Sequence, residues 1–432
     1  MSVRRFDATA PGFVEAFGKF LALRRAQGTE DVHAATAVIV RDVRERGGEA
    51  VAQYTHRFDK ILVNETTLQA PAIDLLEQAE RCEPKVREAL NFAAERIETY
   101  HSQQKPQDHS FTDPNGLELG WRWTPVDAVG LYVPGGRASY PSSVLMNAIP
   151  AKAAGVKRIA MVSPAPGGQF NPAVAYAAVR AGVTEFYPIG GAQAIGALAY
   201  GAGNLKPVDK IVGPGNAFVA AAKRIVFGDV GIDTIAGPSE ITVVGDNQNK
   251  PGWIAADLLS QAEHDPLAQS ILITDDAAWA TQVEAAVEQQ IIALATSKTA
   301  VQAWRDYGAI IIAPMCQAAE IVNQIAPEHV EIATADPDAI AKDVRHSGAI
   351  FLGRYAPEAL GDYVTGSNHV LPTSGAARFA SGLSVLDFMK RTSIQRISEK
   401  GFQYLAQAAE TLAASEGLPA HGLSVSIRRG GA

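Results

Sequence analysis

KIVGPGNAFVAAAKRIVF, residues 210–227, holds the decisive pattern of this chain. A short apolar run enters a Gly-Pro-Gly turn, and small and apolar residues follow at helical spacing. That reads as strand, tight turn, helix. The same texture extends outward on both sides. VGLYV at 129–133 is a strand candidate followed by the turn PGGR at 134–137. RIAMVSP at 158–164 leads into a helix over 172–181, and EFYPI at 185–189 leads into a helix rich in alanine and glycine. Strands alternating with helices predict a parallel sheet with right-handed crossovers.

A second series follows. EITVVGD at 240–246 and QSILITDD at 269–276 read as strands, and a helix is expected over 277–295. GAIIIAP at 308–314, HVEIAT at 329–334 and GAIFLG at 348–353 complete it. Two βα-rich blocks of similar rhythm suggest a duplication. The first 125 residues read mainly as helix. Val86, Leu90, Ala93, Ala94 and Ile97 share one face of a helix begun by Pro84, and Phe13, Phe17 and Phe20 form another apolar stripe. After Leu383 the chain is expected to return to helix and to end in a short strand-like LSVSIRR.

Composition narrows the function classes. The chain has 432 residues, 47% of them hydrophobic and 19% charged, which suits two or three domains with real cores rather than disorder. The balance of 38 basic against 46 acidic residues gives −8, with no basic patch of the kind nucleic-acid binders carry. Cys82 and Cys316 lie too far apart in sequence for a disulfide framework, and no thiolate zinc motif is present. The uncharged stretch 186–205 is long enough to span a bilayer, but Pro188 and five glycines argue against it. The opening MSVRRFDATAPGF contains no apolar leader run, so a cytoplasmic protein is expected.

The turns after the strands are the first places to look for chemistry, because ligands of α/β sheets gather at strand carboxyl ends. Neither a G-x-G-x-x-G nor a P-loop is present. Gly213-Pro-Gly215-Asn216 ends a strand and opens a helix, so it is either a plain turn or a cradle for phosphate. In SQAEHDP, Gln261 and His264 stand three apart at a helix end, and both side chains can ligate a divalent metal; a surface histidine is the alternative. In APEHVE, Glu328 and His329 adjoin at a strand start, either as an acid/base pair or as a solvated loop. Asp362, Asn368 and His369 sit among glycines in LGDYVTGSNHVLPT. Gln261, His264 and Asp362 with one further histidine, His421, would make a zinc site of nitrogen and oxygen donors.

At these residues the sequence resembles the histidinol dehydrogenase family, from about residue 30 to the end. The segments that carry the resemblance are GLYVPGGRASYPSSVLMNAIPAKAAGV, GGAQAIGALAYG, IVGPGNAFVAAAKR, DTIAGPSE, LLSQAEHDPLAQS, APEHVE, GDYVTGSNHVLPTSGAARFASGLSV and EGLPAH. The resemblance implies oxidation of L-histidinol to L-histidine in two NAD-dependent steps with one zinc per site. It places zinc ligands on Gln261, His264, Asp362 and His421, and the acid/base pair on Glu328 and His329. Substrate contacts fall on Ser239, Glu416, His329 and the ligand residues; NAD contacts fall on Tyr132, Gln193 and Asn216. Two other functions stay open on the residues: a relative that oxidises another small polar alcohol with zinc and NAD, and a zinc hydrolase using Glu328.

The architecture expected is α/β, with two incomplete Rossmann-like parallel-sheet domains, one inserted in the other. The boundaries are a helical extension over 1–29, a discontinuous zinc and catalytic domain over 30–129 and 239–383, an inserted NAD-binding domain over 130–238, and a helical tail over 384–432. The tail is too small to bury a core of its own and must dock on something larger. It can fold back on its own chain. The resemblance implies instead that it docks on a second subunit, in a homodimer whose exchanged tails bring Glu416 and His421 to the neighbour's site.

Overall fold

A computed structural model of the chain describes residues 3–25, 30–70, 72–135, 140–165, 170–235 and 237–430. Fourteen strands occur among them: β1 Arg4–Asp7, β2 His109–Thr112, β3 Leu117–Pro125, β4 Ala128–Tyr132, β5 Arg158–Val162, β6 Glu185–Tyr187 and β7 Lys210–Val212. They continue with β8 Gly231–Ile232, β9 Glu240–Gly245, β10 Gln269–Thr274, β11 Ala309–Ile312, β12 His329–Ala333, β13 Ala349–Leu352 and β14 Met389–Ile397.

Two sheets are wholly parallel. One runs β1-β11-β10-β9-β12-β13 and the other β6-β5-β4-β7-β8. The central strands β4, β9, β10 and β12 are buried along their whole length because both faces are covered, whereas the edge strand β1 is largely exposed. In β10, Ile271 and Ile273 enter a core with Phe13, Phe17 and Val330 on one face, while Leu272 enters a second core with Leu258, Trp279 and Trp304 on the other. Strand periodicity of two sends neighbours to opposite sides, so a run such as ILI must be buried twice. The parallel α/β expectation therefore holds for both series.

The chain divides into two compact units. The first comprises Met1–Gln104 and Asp127–Phe388 and holds both parallel sheets. The second comprises Lys105–Val126 and Met389–Ala432, built on an antiparallel sheet of order β14-β3-β2.

Four expectations change. The N-terminal segment is not a separate helical extension: β1 pairs in parallel with β11, and Phe13, Phe17 and Phe20 of the helix Phe13–Arg25 are buried against that sheet. The helices between 30 and 102 do not join the 239–383 strands. Glu30–Arg46 contacts the helices Gly191–Tyr200 and Ala217–Val226, Gly48–Asp59 contacts Gly191–Tyr200, and Pro84–Ser102 contacts Pro141–Ala154 and Pro172–Ala181, all on the β4–β8 sheet. The chain after Leu383 is not only helical, since β14 pairs with β3 across nine residues. Finally, the expected strand in LSVSIRR is a helix, Pro419–Ser426, because Pro419 supplies the φ of a first helical turn. The turn expected at 134–137 lies partly outside the described residues, as Gly136 and Arg137 are not among them. No described helix is long and apolar enough to cross a membrane.

Candidate active site

A pocket of about 330 Å³ opens in the first unit between the carboxyl ends of β4 and β7 and the amino ends of β9 and β12. Pro214, Gly215 and Asn216 line it from the turn after β7. Ser239, Glu328 and His329 line it from the starts of β9 and β12, Gln261 and His264 from the helix Pro251–Ala262 and the turn after it, and Asp362 from the helix Glu358–Tyr363. The helix carrying Gln261 stops at Ala262, and the backbone N–H of His264 bonds to the Gln261 carbonyl at 3.2 Å, so the turn returns His264 to the same side.

One residue of β9 orients the adjacent Glu328 and His329. The Glu240 backbone N–H donates to Glu328 Oε2 at 2.9 Å, and the Glu240 carbonyl accepts from His329 Nδ1 at 3.0 Å. Glu328 returns the bond, its N–H donating to Glu240 Oε2 at 3.2 Å. Neighbours in a regular strand face opposite ways. Here β12 begins only at His329, after a left-handed turn at Ala326 (φ 52°), and both side chains reach the pocket.

His329 Nδ1 is a donor, so in the neutral ring Nε2 presents its lone pair. That atom is buried with no hydrogen-bond partner, 3.6 Å from Asp362 Oδ1 and 3.9 Å from Glu358 Oε1. Glu358 Oε1 is also buried without a partner, while Oε2 accepts from the Ser260 hydroxyl at 2.9 Å. Burial alone would push the His329 imidazole down, but the carboxylates of Glu328, Asp362 and Glu358 outweigh it and raise its pKa to about 9. Burial, reinforced by Asp362, raises Glu358 to about 7. Burial also opposes charge on Asp362, yet His329 and His369 hold its carboxyl far below the usual range. Ligand atoms of His329, Glu358 and Asp362 lie within 4.8 Å of one another. Orphaned buried atoms in a strongly anionic pocket are what a bound cation satisfies.

The second cluster sits at the carboxyl edge of the β4–β8 sheet. Tyr132, the last residue of β4, is buried, and its hydroxyl accepts from the Gly191 N–H at 3.2 Å. Burial pushes its phenol up to about 12, so the O–H remains a donor. Gln193 is buried with Oε1 unpartnered. Asn216 caps the helix Ala217–Val226, its Oδ1 accepting from Phe218 and Val219 N–H groups at 3.0 and 3.1 Å. Backbone approach is close here: a Cβ on Gly213 (φ 108°) would stand 2.2 Å from the Tyr132 carbonyl oxygen.

The sequence model of the family described as histidinol dehydrogenase matches residues 22–429. The chain belongs to the histidinol dehydrogenase family. It is 58% identical over 426 residues to the histidinol dehydrogenase of Caulobacter vibrioides, covering 99% of both chains. It is 57% identical over 425 residues to that of Rhizobium meliloti, covering 98% of both. The crystal structure of histidinol dehydrogenase from Elizabethkingia anophelis superposes with a TM-score of 0.92 at 34% identity, over 99% of this chain and 98% of that one.

Of the residues expected from the histidinol dehydrogenase resemblance, Asn216, Ser239, Gln261, His264, Glu328, His329 and Asp362 line the one pocket. Glu416 and His421 belong to the second unit, where both are exposed, His421 on the helix Pro419–Ser426. Sequence reading misses Glu358 and Glu240 of the site, and it names His369 without giving it a role. Glu358 stands four residues before Asp362 on one helix, a spacing that puts both carboxylates on one face and could have flagged it. Glu240 was passed over in favour of its neighbour Ser239. His369 joins Ser143 to the Asp362 backbone, with Nδ1 2.9 Å from the Asp362 carbonyl and Nε2 3.2 Å from Ser143 Oγ.

Proposed function

We propose that this chain is a zinc-dependent histidinol dehydrogenase that oxidises L-histidinol through the aldehyde to L-histidine with two molecules of NAD. The reading rests on one observation above all. A base with an unpartnered nitrogen, a second carboxylate and an amide–imidazole–carboxylate donor set all face one pocket beside the turn that presents Asn216.

Gln261, His264 and Asp362, with the partner's His421, would hold the zinc. Their donors suit a borderline divalent ion, and the anionic field around His329 suits a cation. Zinc bound there supplies a template for the imidazole and amino nitrogens of the substrate and offsets the field that raises His329. Tyr132, Gln193 and Asn216 would hold NAD, which supplies the hydride acceptor for each step.

The chain's own groups do the rest. His329 Nε2 takes the alcohol proton, with the ring held in register by the Glu240 carbonyl. Glu328, fixed by the Glu240 N–H, takes a proton from the water that hydrates the aldehyde. His329 then takes the hydrate proton in the second oxidation. Ser239 and Glu416 bind the substrate's polar groups. Wide apolar exposure in the second unit, including Tyr404, Leu412, Leu423 and Ile427, supports a tail covered by a second copy.

The deciding experiment adds histidinol and NAD to the purified protein and follows nicotinamide reduction. Two NADH per histidinol is the expected result, and none would overturn the proposal. Chelation should abolish turnover with the fold retained. His264→Asn should carry zinc well below one per chain; full occupancy with normal activity would remove it from the ligand set.

A further inference from the structure

We propose that Lys223 and Asp233 form a clamp that positions the Gly213–Asn216 turn for NAD, making both residues positioning residues for cofactor binding. The inference rests on the NAD reading given above.

The two side chains make an ion pair with only 3% of each exposed. They come from different elements: Lys223 from the helix Ala217–Val226, Asp233 from the residue just after β8. Both close on one residue. Asp233 Oδ2 accepts from the Gly213 N–H at 2.8 Å, and Lys223 Nζ donates to the Gly213 carbonyl at 3.1 Å. Lys223 Nζ also donates to Asp233 Oδ1. The peptide groups flanking Gly213 are thus gripped from both sides just where β7 ends.

The next three residues, Pro214, Gly215 and Asn216, form a wall of the pocket. The clamp contacts none of the pocket space itself, as neither residue lines it. Its bonds go to the backbone that sets the turn's direction. Gly213 is held at φ 108° beside the Tyr132 carbonyl, so the turn has little room to move on that side. A buried ion pair is weak evidence for stability, since apolar residues of similar volume replace such pairs at little or no cost. A pair kept here and spent on two backbone bonds fits a geometric role better.

The test uses the zinc-loaded enzyme and three variants, Lys223→Met, Asp233→Asn and the double Lys223→Met/Asp233→Leu. The double variant leaves no unpaired buried charge, so it should fold even where Lys223→Met does not. It lacks both bonds to Gly213. We expect KM for NAD to rise about 10- to 100-fold in the double variant, with KM for histidinol and zinc content within about twofold of the parent. A clamp that only stabilises the fold would lower the melting temperature and leave KM for NAD unchanged. That result in the double variant overturns the proposal.

Asn216→Ala separates this inference from the reading beneath it. A raised KM for NAD in Asn216→Ala with none in the double variant removes the clamp alone. No saturable dependence on NAD in the parent removes both.

Discussion

Replacing His329 with asparagine is expected to lower kcat for histidinol by about 100- to 10,000-fold, the usual worth of a positioned general base. The substitution keeps a polar side chain of similar reach but has no basic nitrogen to take the place of Nε2, the unpartnered atom facing Asp362 and Glu358. Oxidation of histidinol and of the aldehyde should both suffer, since each requires proton removal from oxygen. Glu328→Gln should separate the two. It retains an acceptor for the Glu240 N–H, so the turn before β12 should hold, but it cannot take a proton from water. The aldehyde half-reaction should fall by a larger factor than the alcohol half-reaction. Equal losses in both, measured with each substrate in turn, would end that division of labour.

Mixed chains provide the other large effect. His264→Ala and His421→Ala proteins should each be nearly inactive alone. After subunit exchange, activity should return to about one quarter of the parental value. Half of randomly formed dimers are mixed, and each mixed dimer has one intact site and one carrying both lesions. His264 lines the pocket of the first unit, whereas His421 is exposed on the second. If each chain completes its own site, every site keeps one lesion and the mixture stays inactive.

Much of the pocket could be read from local sequence because its residues come in short segments with chemical character. Glu328 and His329 are adjacent, Gln261 and His264 lie in one turn, and Asn216 opens a helix. The neighbours that give them their properties could not be read in that way. Glu240 orients both Glu328 and His329 from 88 and 89 residues away. Glu358, 29 residues beyond His329, presents a carboxylate 3.9 Å from the imidazole. An expectation centred on strand carboxyl ends leads to Tyr132 and Asn216, the residues proposed for NAD. It misses the catalytic candidates, which stand at the amino ends of β9 and β12.

Local sequence was enough to show that strand and helix alternate in two series and that the sheets they form are parallel. It also determined which residue types stand at the turns. These are local properties, encoded in periodicity and in the dihedral limits of glycine and proline. Tertiary structure alone decided which sheet each segment joins. The apolar stripe of Phe13, Phe17 and Phe20 says that a face is buried but not against what, and apart from Phe6 of β1 its partners in the sheet begin only at Val244. β14 is polar and exposed along most of its length, and it is a strand because β3, far back in the chain, offers it a complete ladder. Burial periodicity constrains one face of one element, whereas pairing depends on the free energy of the whole assembly of faces, and that sum becomes readable only when the chain is folded.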